Sequence, residues 1–182
     1  MSRIFFIVIF FIFQLAGGAQ TKSPSAFLGY EIGEKYTPHW KLVSYFQHIA
    51  SENPGTVKLV QYGETNEGRP LLLAFISSSE NMGRLEQIRV NNLRLAHLTP
   101  DKAAPVENGA SAIVWLSYNV HGNETSSSEA AMLTIWSLVD PGNSRTKEWL
   151  KNLQGLKVNT QSRSSQRMNI TDFLNMVKNV KN

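Results

Sequence analysis

The segment Leu116-Ser-Tyr-Asn-Val-His121-Gly-Asn-Glu124-Thr-Ser-Ser-Ser-Glu129 gathers an imidazole, two carboxylates and a run of hydroxyls in one short stretch. His121 and Glu124 stand at i and i+3, where an apolar strand-like run gives way to helical spacing. At that separation a neutral imidazole and a carboxylate can converge on one cation, and Zn²⁺ accepts both at about 2.0–2.2 Å. The position suits such a role, because open α/β sheets bind ligands at the carboxyl ends of their strands, where loops diverge. Spacing alone leaves a second reading open: a His and a Glu at a helix start, with the Glu favoured by the helix dipole.

The remaining candidates are few. The chain has no cysteine, which excludes disulfides, thiolate metal sites, cysteine nucleophiles and a lipid-modified cysteine. Any metal site must therefore use His, Asp or Glu, and the histidines are His39, His48, His97 and His121. His39 and His48 are not at i, i+3 or i, i+4 and read as surface or packing residues. His97 falls at a helix end, where a partly positive imidazole is favoured by the dipole. Glu129 reads as a structural helix carboxylate rather than a general base. Ser126 to Ser128 lie outside any Gly-x-Ser-x-Gly turn, so they read as capping and packing residues rather than nucleophiles.

The elements that would position these residues follow from periodicity. Tyr36-Thr-Pro-His-Trp40 opens a helix, with Thr37 as N-cap and Pro38 at the first helical position. Leu42, Tyr45, Phe46 and Ile49 make its apolar stripe, and Asn53-Pro54-Gly55 stops it. Val57 to Tyr62 and Pro70 to Ile76 predict an antiparallel hairpin across the polar turn Glu64 to Arg69. Residues 80–95 return to helical spacing through Met82, Leu85, Ile88 and Leu95, and Thr99 to Gly109 reads as a surface loop. Ala112 to Leu116 is a continuous apolar run, the pattern of a strand buried on both faces. A largely apolar helix from near Glu124 to Val139 follows, ended by Asp140-Pro141-Gly142, then a short helix over Ser144 to Leu153. Helices interleaved with strands give an α/β architecture.

Hydrophobic residues make up 42% and charged residues 18%, a globular composition rather than a disordered one. Arg3, the apolar run Ile4 to Phe13 and the small residues up to Ala19 read as a signal peptide, residues 1–19, cleaved between Ala19 and Gln20. That run is too short for the ~20 residues of a membrane span, so no stable membrane anchor is expected after cleavage. The mature protein is expected to be secreted or periplasmic. Residues 155–182 carry Lys157, Arg163, Arg167, Lys178 and Lys181 against Asp172 alone, so the net charge of +4 belongs to this divergent polar basic tail. The folded part, residues 20–154, has no basic stripe and gives no reason to expect nucleic-acid binding. No buried strand is expected after Leu153.

Three motifs in order carry a family resemblance. Tyr118-Asn-Val-His-Gly-Asn-Glu-Thr-Ser-Ser-Ser-Glu129 is similar to the metal-binding segment of zinc carboxypeptidases related to carboxypeptidase A, secreted bacterial members above all. Gly63-Glu-Thr-Asn-Glu-Gly-Arg-Pro-Leu71 resembles the turn and strand upstream of it, and Tyr36-Thr-Pro-His-Trp40 resembles the opening of those domains. The resemblance implies the N-terminal part, and so an incomplete copy, of a carboxypeptidase A-like fold: a twisted mixed sheet with helices on both faces. It implies His121 and Glu124 as the first two zinc ligands, Glu124 bidentate, and the C-terminus of a peptide or protein as substrate. It further implies a second His, a general-base Glu and carboxylate-binding arginines farther downstream. Here no histidine follows Glu124, and Asn123 fills a slot often held by Arg. The expectation is thus a zinc metallocarboxypeptidase by resemblance, with these 182 residues an inactive truncated fragment. The competing expectation is a secreted, non-catalytic binding module on the same scaffold.

Overall fold

The computed structural model describes residues 21–98 and 113–152, together with the backbone of residues 155–160. The signal-like residues 1–19, the loop Thr99 to Gly109 and the tail beyond Thr160 lie outside the described residues. In chain order the elements are α1 (Pro24–Leu28), α2 (His39–Glu52), β1 (Val57–Glu64), β2 (Pro70–Ile76), α3 (Ser79–Gly83), α4 (Leu85–Leu95), β3 (Ile113–Tyr118), α5 (Ser126–Val139), α6 (Ser144–Asn152) and β4 (Gly155–Thr160).

The four strands form one mixed sheet in the order β1-β2-β4-β3. β1 and β2 are the expected antiparallel hairpin, with Val57 opposite Ile76 and a shift in register between Gln61 and Gly63. Their turn closes through Thr65 N–H to the Arg69 carbonyl at 2.9 Å and Gly68 N–H to the Thr65 carbonyl at 2.9 Å. Gly68 supplies the positive φ of 71° that this turn requires. β4 runs antiparallel to β2 and parallel to β3, with Leu156 paired to both Ile76 and Val114.

Side chains alternate across the sheet, as the period of two demands. Leu72, Ala74 and Ile76 meet Leu42, Tyr45, Phe46 and Ile49 of α2 and Ala131, Met132, Ile135 and Leu138 of α5 on one face. Leu73 and Phe75 point the other way, onto Val60, Leu85, Leu93, Ile113 and Trp115. Helices therefore cover both faces, as expected. The four α2 stripe residues are wholly buried, each worth about 1.5–3 kcal/mol of transfer free energy.

Four expectations are corrected. Thr37 is not the N-cap of α2: Pro38 holds that position without a side-chain cap bond, and the Thr37 hydroxyl is engaged with Glu129. Residues 80–95 break at Arg84 into α3 and α4. β3 extends to Tyr118 and is half-buried rather than buried on both faces; among the described residues it pairs on one side only, with β4. Finally, a strand does follow Leu153: β4 sits inside the sheet between β2 and β3. The polar composition of Gly155-Leu-Lys-Val-Asn-Thr160 hid it, since strand formation here is set by two open neighbouring edges more than by intrinsic propensity.

Candidate metal centre

β3 ends at Tyr118, whose hydroxyl shares a 2.8 Å hydrogen bond with Thr134 Oγ1 of α5 and so ties strand to helix. The next residue, Asn119, is buried and takes a left-handed φ of 59°. Asparagine is among the few side chains that tolerate this region. Its amide Nδ2 donates to Ser128 Oγ at 2.8 Å, while its Oδ1 is buried without a partner among the described residues.

The chain then crosses an exposed stretch from Val120 to Ser126. Within it His121 and Glu124 form one turn, closed by the Glu124 N–H to the His121 carbonyl at 3.0 Å. Ser127 N–H to the Glu124 carbonyl at 3.2 Å carries the chain directly into α5. The sequence-derived pair is thus brought together on one turn, at the carboxyl end of a strand and the start of a helix. Both side chains are exposed, and neither takes part in a hydrogen bond or ion pair among the described residues. One nitrogen and one oxygen donor of this kind fit zinc in type, and they are one protein ligand short of a catalytic site. No group of three or more His, Asp or Glu side chains converges among the described residues.

The other histidines go elsewhere. His48 stacks on Phe27 with centroids 5.3 Å apart, a packing residue as expected. His97 follows α4 with φ 56°, and the bonds His97 N–H to Arg94 O and Leu98 N–H to Leu93 O form a Schellman closure around it. His39 helps line an open cleft of about 410 Å³ between the β1–β2 turn and the start of α2, with Tyr36, Trp40 and Arg69. Burial first, then the charge of Arg69, holds the His39 imidazole below its ordinary range. This cleft was not legible in the sequence, because its two walls are separated along the chain.

Glu129 is buried in the first turn of α5. Its carboxylate accepts from Thr37 Oγ1 at 2.6 Å and from the Gly33 N–H at 2.8 Å. Thr37 has one hydroxyl proton and it is directed at the carboxylate, so the 2.9 Å contact with Tyr30 must be donated by the tyrosine. The structural role expected of Glu129 therefore holds, with partners no local pattern announces.

The zinc carboxypeptidase family profile matches residues 42–155. No curated protein matches the chain. Among solved structures, the carboxypeptidase A from Helicoverpa armigera is similar at 17% identity with a TM-score of 0.49, covering 80% of this chain and 28% of that chain. The chain thus spans less than a third of the length of that enzyme.

Proposed function

The chain belongs to the zinc carboxypeptidase family, and on that premise we propose that His121 and Glu124 are two of the ligands of a catalytic zinc that serves to remove C-terminal residues from peptides. The observation that carries this reading is their placement on one exposed turn, between the end of β3 and the start of α5. Bound zinc would supply Lewis-acid polarisation of the scissile carbonyl and a water of lowered pKa. This chain's own part is to present an imidazole nitrogen and a carboxylate from a turn braced on both sides.

A catalytic zinc uses three protein ligands, and residues 125–182 contain no histidine. Among the described residues no third His, Asp or Glu joins the pair, and two ligands alone are expected to hold zinc weakly and to hydrolyse nothing. The amino-terminal residues support a further part of the proposal, a signal peptide over residues 1–19 and a secreted or periplasmic mature protein; the N-terminal sequence of the mature protein tests it.

The central test is a Zn²⁺ titration followed at the imidazole nitrogens of His121 by NMR. Wild type is expected to show a His121 shift at a high, weak midpoint, lost in Glu124→Ala. Zinc uptake unchanged by His121→Ala would overturn the assignment. Zinc-dependent release of C-terminal amino acids by residues 20–182 would overturn the inactivity.

A further inference from the structure

We propose that Ser128 and Glu129 act as a positioning pair for the His121–Glu124 turn, an inference that rests on reading that turn as a metal site. The turn has little structure of its own. Its side chains are exposed, and the Glu124 N–H to His121 carbonyl bond closes it. Its geometry must therefore be inherited from anchors on either side, and both anchors end on two consecutive residues.

The entering side is held through Asn119. Its left-handed backbone sends the chain from β3 toward His121, and its Nδ2 is fixed on Ser128 Oγ at 2.8 Å. The leaving side is held through Glu129, which grips Thr37 Oγ1 at 2.6 Å and the Gly33 N–H at 2.8 Å. Tyr30 in turn donates to Thr37. The first turn of α5 is thus locked to the segment from Tyr30 to Thr37, a partner distant in sequence.

The choice of residue argues that this is more than packing. Ser128 and Glu129 are 9% and 8% exposed, beside the wholly buried Ala131 and Met132. Burying a carboxylate is costly unless donors satisfy it, and among the described residues Glu129 has no ion pair. An apolar residue would fill the space without that demand. What a carboxylate adds is direction: two donors reach separate oxygens and fix the orientation of the helix's first turn. Supports of this kind orient metal ligands, and their loss commonly weakens metal binding by about 10–100-fold.

The full chain is titrated with Zn²⁺ and the midpoint is read at the His121 imidazole. The variants are Glu129→Gln, Ser128→Ala and, as a control for general destabilisation, Ile135→Ala in the core of the same helix. Glu129→Gln keeps the size of the side chain but cannot accept both donors with its amide. It is expected to raise the midpoint about 10-fold, and Ser128→Ala is expected to raise it in the same direction. Ile135→Ala, compared at equal folded fraction, should leave it unchanged. Should Glu129→Gln fail to fold, Ser128→Ala decides alone, since it removes a single hydrogen bond. A wild-type midpoint in Ser128→Ala, or in a folded Glu129→Gln, overturns the proposal while leaving the metal site standing. A shift in Ile135→Ala equal to theirs also overturns it. If His121 of the wild type does not respond to Zn²⁺ at all, the metal-site reading fails and the positioning role fails with it.

Discussion

Thr37→Val removes one hydroxyl and keeps the shape of the side chain, so its effect isolates the hydrogen bonds through which the N-terminal segment is tied to α5. The hydroxyl donates to Glu129 Oε1 at 2.6 Å and accepts from Tyr30 at 2.9 Å. Thr37 is 2% exposed, Glu129 8% and Tyr30 9%, so water is poorly placed to replace either bond. A hydrogen bond to a charged group is worth about 1.5–3 kcal/mol, and a stranded buried donor such as the Tyr30 hydroxyl costs about 1 kcal/mol more. The added valine methyl returns about 0.8 kcal/mol by burial. The net loss is about 2–3 kcal/mol, toward the upper end of what a single substitution usually does.

Urea unfolding of the wild type and Thr37→Val, with m of about 2 kcal/mol/M, should then show midpoints about 1–1.5 M apart at unchanged slope. Thr37→Ser, which keeps the hydroxyl, should fall well short of that loss. A double-mutant cycle with Glu129→Gln should return a coupling of about 1–2 kcal/mol, because the two residues share one bond. A Thr37→Val midpoint within 0.3 M of wild type, or strict additivity with Glu129→Gln, would refute the claim that this contact bears on stability.

Two further predictions concern histidines. His39 is held below its ordinary range by burial and by Arg69, so the unfolded chain takes up that proton first. Its contribution is complete above about pH 6.5 and is lost as pH falls from there through the folded-state value. His39→Phe should flatten that part of the pH–stability curve, and an NMR midpoint for His39 at or above about 6.5 would contradict the assignment. His97 occupies a left-handed position with φ 56° inside a Schellman closure, a place that suits glycine. His97→Gly should therefore stabilise the protein by about 1 kcal/mol, and a lowered urea midpoint would refute this.

The parts of the protein that were legible in the sequence are those whose cause is local. The hairpin over Val57–Glu64 and Pro70–Ile76 follows from two apolar runs and a glycine-bearing turn. The α2 stripe follows from the spacing of Leu42, Tyr45, Phe46 and Ile49. His121 and Glu124 fall on one turn because they stand at i and i+3. Thr37 departs from its expected capping role for the opposite reason. Its local context, a threonine before a proline and a helix, favours a cap. Its actual partner lies 92 residues away, and a charge-assisted bond to a buried carboxylate outweighs a cap. The left-handed Asn119 and His97 were equally hidden, because neither residue type requires that conformation.

β4 carries the same lesson to the level of the sheet. Leu156 and Val158 alternate with Lys157 and Asn159, a pattern too short and too polar to announce a central strand. Its two neighbours, however, leave it little choice. β2 is buried along nearly its whole length, and β1 satisfies only one of its edges. An unpaired edge on a buried strand would strand several backbone donors and acceptors, each costing more than a modest strand propensity could recover. The register follows from that need: Leu73 and Ala74 of β2 face Asn159 and Val158, and β3 takes the far side in parallel. β4 thereby sets where β3 lies relative to β2. Since Tyr118 at the end of β3 leads into Asn119 and the His121–Glu124 turn, this polar strand helps fix the place from which the candidate ligands are presented.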